Sequence, residues 1–151
     1  MGSSSDTRIM KGAAEILDEF KIKHEDQIVS AHRTPSRLSE YAKHAEKMGF
    51  SIIIAGAGGA AHLPGMIAAH TIIPVIGVPI LVYNDKHPKK VDAPKFSAFG
   101  GLDSLLSITE MPTGSPVVSV GVNKASNAGI YAIKILANEF SALKKKLKSM
   151  I

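Results

Sequence analysis

The chain has 151 residues, 45% of them hydrophobic and 21% charged, which suits a folded domain and excludes a disordered polymer. It has no cysteine, so disulfides and thiolate metal sites are excluded, and glycine or proline interrupts every apolar stretch before it reaches bilayer-spanning length. The formal charge of +5 sits largely in KHPKK and in the terminal ALKKKLKSMI, and 5% aromatic residues with no Trp leave little to stack on a base, so neither nucleic acid nor membrane is the expected partner.

In chain order, GSSSD at residues 2–6 is a Gly-Ser turn that feeds a helix. Ile9, Ala13, Ile16, Leu17 and Phe20 then recur at helical offsets, which predicts a helix from Asp6 to Phe20 with one buried face. QIVSA is a short β-rich run. RTPSRLSEYAKHAEKMG predicts a second helix, with Thr34 as its cap, Pro35 in its first turn and Gly49 at its close. FSIIIAGAGG predicts a buried strand entering a glycine turn, HLPGMIAAHT a short helix, and IPVIGVPI a further buried strand. SPVVSVGV follows as a later strand. The stretch from Asn127 to Leu147 predicts one long C-terminal helix, with Ala132, Ile135, Leu136, Phe140 and Leu143 facing inward. The polar, unpatterned stretch from Leu81 to Gly101 reads as a lid, an interface arm or a mobile insertion.

Strands without polar alternation, separated by helices, imply a parallel sheet covered on both faces. Right-handed crossovers make this a three-layer, doubly wound α/β fold, expected as one domain over residues 1–151. With no secretory leader after Met1, a soluble protein of the cytoplasm is expected.

In open parallel sheets, ligands bind beyond the carboxyl ends of the strands. Three unusual segments fall there: GSSSD, SAHRTP and AGAGGAAHLPG. Ser3 and Ser5 place hydroxyls beside free N–H groups at a helix start, an arrangement suited to phosphate. Asp6 either caps that helix or accepts from ribose hydroxyls. Arg33 is a surface cation or a clamp on the same phosphate. His32 stands at a strand terminus and is the candidate proton carrier, because imidazole is the side chain that titrates near neutral pH. Residues 55–61 hold three glycines and four alanines, so the backbone can approach a flat ligand and its N–H groups can hold a carboxylate. His62 either orients that loop or is a satisfied structural histidine. No spacing suggests a metal site. Together the segments describe a pocket for a small phosphorylated, ribose-bearing metabolite.

GSSSD, SAHRTP, AGAGGAAHLPGM, PVIGVP, GLDSLLS and NAG, in this order, resemble the class I 5-(carboxyamino)imidazole ribonucleotide mutases of purine biosynthesis. The resemblance implies a flavodoxin-like fold, a homo-octamer and a carboxyl migration from the exocyclic nitrogen to ring carbon 4, with no cofactor. It implies that Ser3, Ser5, Asp6, Ser30 and Arg33 bind the ribose phosphate and that His32 shuttles the proton. Gly58 and His62 would then border the migrating carboxylate. Direct carboxylation of aminoimidazole ribonucleotide, or a non-catalytic phosphoribosyl-binding module, are the alternatives.

The chain departs from the family pattern in its long connection from Tyr83 to Phe99, in Thr7 where an aromatic residue is usual, and in Glu110 of EMP. Above all, no apolar strand precedes MGSSSD. In a flavodoxin-like order that strand is central, so the fold is expected to lack its first strand, and a version extended by about six to eight residues is expected to be more stable.

Overall fold

The two apolar runs read as buried strands pair with each other. In the computed structural model, which describes residues 1–82 and 99–150, β1 (Ile53–Gly58) lies parallel to β2 (Val75–Ile80), with Ile53 opposite Val75 and Gly58 opposite Ile80. A short β3 (Val118–Ser119) joins the far side of β2, also parallel, giving the order β1-β2-β3.

Six α-helices cover this sheet among the described residues: α1 (Thr7–Glu19), α2 (Pro35–His44), α3 (Leu63–Ala68), α4 (Leu102–Thr109), α5 (Ala125–Leu136) and α6 (Ser141–Met150). Side chains alternate across a strand, and the two faces bury different sets. Ile53, Ala55, Ala57 and Val75 pack with Leu38 of α2, Leu63 and Ile67 of α3, and Ile108 of α4. Ile76, Val78 and Ile80 meet Met10 and Ala13 of α1 and Ala125, Ala128 and Ala132 of α5. Ile76, Val78 and Ile108 are at most 1% exposed. Burying each such side chain contributes about 1.5–3 kcal/mol, which holds the three layers together. None of the described helices is long and apolar enough to cross a membrane.

The expected elements need three corrections. Residues 27–31, the QIVSA run, form no strand. Their ladder partner is a two-residue fragment: the Met1 amine donates to Gln27 O at 2.7 Å, and Val29 N–H donates to Met1 O at 2.9 Å. Gly2 N–H in turn donates to Gly56 O of β1 at 3.1 Å, so Met1 and Gly2 alone bridge the two extended segments. The helix expected from Asn127 to Leu147 is two helices. The chain leaves α5 through tightened bonds (Asn138 N–H to Ile135 O, Glu139 N–H to Leu136 O) and restarts at Ser141. The turn brings Leu147 of α6 against Phe20 and Ile133, and packing overrides the periodicity. Finally, Thr34 occupies the N-cap of α2 without a side-chain cap bond; its hydroxyl donates instead to Ser30 O at 3.0 Å. Most of the stretch from Leu81 to Gly101, including the long connection that follows Tyr83, lies outside the described residues.

Candidate functional site

Three short segments meet at the carboxyl end of β1. The first begins at Gly2. Ser3 is fully extended and starts a single 3-10 turn, Ser4–Asp6, that runs into α1. Its hydroxyl accepts from Ser5 N–H at 3.3 Å and from the Ser5 hydroxyl at 3.0 Å. Asp6 reaches back, and its carboxylate accepts from Ser3 N–H at 3.0 Å and from the Ser5 hydroxyl at 3.3 Å. This is a reciprocal capping box on the 3-10 turn. Asp6 stands at the N-cap of α1 yet makes no side-chain cap bond to it. It is 7% exposed. Burial pushes its carboxyl above the usual aspartate range, while the Ser3 N–H and Ser5 hydroxyl act in the opposite direction.

The second segment follows residues 27–29. Ser30 turns the chain, and its hydroxyl accepts both Arg33 N–H at 3.2 Å and Arg33 Nε–H at 3.4 Å. One serine thus fixes the root and the head of the arginine, whose guanidinium is exposed toward the cavity. Pro35 then opens α2.

The third segment is the turn after β1. Gly59 sits at φ +62, a left-handed conformation that costs other residues roughly 1–2 kcal/mol. Gly58 is required for a different reason. A Cβ there would lie 2.8 Å from Ile80 O and 2.6 Å from Val82 Cγ2. The turn ends at His62, which donates its N–H to Ala60 O and enters α3.

His62 and His32 meet across the opening. His62 Nδ1 lies 2.8 Å from His32 Nε2, and the rings are nearly perpendicular at 76° with centroids 5.0 Å apart. At that distance one nitrogen must donate and the other accept, so the contact holds one proton between two imidazoles.

A cavity of about 390 Å³ is lined by Ser3, Ser5, Asp6, Ser30, His32, Arg33, Gly58 and His62. Every residue singled out from the sequence therefore faces one space. The arrangement offers a cation and hydroxyls at one edge, a buried carboxylate beside the helix start, and a pair of exposed imidazoles opposite. Such a cavity can hold an anionic ligand by one end and exchange protons at the other. Sequence reasoning does not single out Leu63 or Val82, which also line it. Val82 was findable, since it follows the carboxyl end of the strand beside β1.

With that geometry described, the chain can be compared with known proteins. A family model described as AIR carboxylase matches residues 1–151. The chain is 54% identical over 148 residues to the N5-carboxyaminoimidazole ribonucleotide mutase of Thermotoga maritima, covering 98% of this chain and 78% of that protein. It is 52% identical over 148 residues to the protein of the same name from Pyrococcus abyssi, covering 98% and 77%. It also matches the phosphoribosylaminoimidazole carboxylase of Schizosaccharomyces pombe, at 51% identity over 151 residues, where it spans 25% of that longer protein. Among solved structures, that of PurE from Treponema denticola superposes with a TM-score of 0.79 at 24% identity, covering 99% of this chain and 85% of that one. That likeness supports the flavodoxin-like α/β fold.

Proposed function

This chain belongs to the AIR carboxylase family, and from that premise we propose that it is a mutase of purine biosynthesis. It interconverts N5-carboxyaminoimidazole ribonucleotide and its 4-carboxy isomer. The observation that carries this reading is the His32–His62 contact, held 2.8 Å apart in the same cavity as Arg33, Ser30 and Asp6.

The chemistry follows from what these groups can do. Arg33, held by Ser30, and the Ser3–Ser5 hydroxyls take the phosphate, and Asp6 accepts from the ribose. The substrate is a carbamate, which loses carbon dioxide once its nitrogen is protonated. His32 delivers that proton, and the nitrogen–carbon bond breaks as the electron pair returns to nitrogen. The free carbon dioxide is captured by ring carbon 4, which forms the new carbon–carbon bond. That carbon still carries hydrogen, and its proton returns to His32 as the ring regains aromaticity. One proton leaves the imidazole pair and one comes back, so the cycle balances. Confinement matters because carbon dioxide must be recaptured before it diffuses away; holding both partners raises its effective concentration steeply. Gly58 and the small residues of its turn leave room for the carboxylate beside backbone N–H groups.

We further propose that the protein works as a cytoplasmic homo-octamer. Leu102 and Leu106, one turn apart on α4, are 50% and 47% exposed, and Phe99 just before them is 69% exposed, which supports a self-associating face.

The reaction is tested by supplying the carbamate at low bicarbonate, and separately aminoimidazole ribonucleotide with bicarbonate, and following product by absorbance. Product from the carbamate without added bicarbonate is expected. Product formed only when carbon dioxide is supplied makes the protein a direct carboxylase, and no product with either makes it a binding module; both contradict the proposal.

A further inference from the structure

A second cavity, of about 200 Å³, opens at the amino side of Met1, away from the site above. Its walls are residues 23–27 and residues 51–54, and its floor is apolar, built from Met10, Ala13 and Leu17 of α1 and Ala132 of α5. The walls lead into the same two extended segments that Met1 and Gly2 bridge. There, Met1 bonds on one side to Gln27 and Val29, and Gly2 bonds on the other to Gly56. This alternation is the bonding of a strand paired on both sides in a parallel sheet.

The cavity continues that pattern without a strand to complete it. Ile53 N–H donates to Pro74 O toward β2, so the N–H groups of Ile54 and Gly56 point the other way, with Gly2. Among the described residues no backbone acceptor meets them, nor the N–H of Gln27. The Met1 ammonium stands where a strand would place a neutral peptide N–H, and burial lowers its pKa accordingly.

We propose that this cavity is an acceptor groove for one further parallel strand, apolar on both faces and joined through its carboxyl end to the nitrogen of Met1, and that its seating fixes the Gly2–Ser5 turn. About five or six residues suffice, the usual strand length. Parallel parity sets the register. The residue joined to Met1 accepts from Gly56 N–H and donates to Ile54 O. The residue before it accepts from Gln27 N–H, and the next accepts from Ile54 N–H. The inference rests on backbone geometry and stands apart from the reaction proposed above.

The test compares three versions of the full chain, each extended before Met1 by six residues. One extension alternates Val and Ile, one is Gly-Ser, and one is the Val-Ile sequence with proline next to Met1, which lacks the N–H for Ile54 O. Thermal midpoints and amide exchange are measured on all three. The Val-Ile version is expected to melt roughly 10 °C above the Gly-Ser version. Exchange at Gln27, Ile54 and Gly56 is expected to slow at least about tenfold, the mark of a closed ladder. The proline version is expected to lose most of both gains, which separates ladder bonding from apolar adhesion. Equal midpoints and equal exchange for the Val-Ile and Gly-Ser versions overturn the proposal. So does full protection in the proline version, or a Gly-Ser version that dimerises with these amides already protected, which would assign the groove to a second copy.

Discussion

Replacing Gly58 with alanine adds one methyl group at the point where the turn after β1 leaves the sheet. The new Cβ would sit 2.6 Å from Val82 Cγ2 and 2.8 Å from Ile80 O. The valine can rotate away. The carbonyl cannot, because it belongs to the backbone at the end of β2, in register with Gly58 itself. The turn must therefore move, at an overpacking cost of about 1–3 kcal/mol. For a chain of this size, that lowers the thermal midpoint by roughly 2–12 °C, taking about 2–4 °C per kcal/mol. His62 lies four residues further on and its contact with His32 is only 2.8 Å long, so the displacement reaches the imidazole pair. Misplacing a reacting group by about 1 Å costs on the order of 100-fold in rate. Turnover should fall far more than stability does. Gly59→Ala is the control: its Cβ meets nothing within 4 Å, and only the φ of +62 opposes it. The assay is thermal denaturation followed by circular dichroism, alongside steady-state turnover. A Gly58→Ala protein with the parent's midpoint and the parent's rate refutes the close-contact reasoning.

Asp6→Asn tests the buried carboxylate. Because the folded pKa is raised, the carboxyl's contribution to stability is complete below the usual aspartate value of about 3.9 and is lost as pH rises through the folded value. Denaturant titrations from acid to neutral pH should therefore show the parent losing stability relative to the asparagine variant, and parallel curves contradict this. Ser30→Ala removes the acceptor that holds Arg33. With long bonds and an exposed arginine the loss is about 1 kcal/mol, read as a roughly fivefold rise in KM with kcat little changed. A fall in kcat at constant KM assigns Ser30 a different role.

Much of the layered fold was legible because local pattern and burial agree. Helix α1 follows the apolar stripe from Ile9 to Phe20, and β1 and β2 coincide with runs that have no polar side to show. The site segments were legible because chemistry required unusual composition there: serines before a helix, small residues around Gly58, histidine and arginine at a turn. What was not legible depends on partners distant in the chain. QIVSA has a strand's composition, but a strand exists only where a neighbour pairs with it, and Met1 and Gly2 are too short to make one. The periodicity from Asn127 to Leu147 runs through a break that is set by Phe20, the residue against which Leu147 packs. Val82 enters the cavity only because β2 ends level with β1.

The account turns on His32 carrying the proton both ways, and one variant isolates that step. His32→Asn keeps a polar side chain of similar reach but cannot relay a proton, so turnover of the carbamate should fall by about 10²–10⁴. Calorimetric binding of the 4-carboxy product, anchored through Arg33 and the serines, should remain measurable in the same preparation. An asparagine variant that converts the carbamate at the parent's rate would contradict the account.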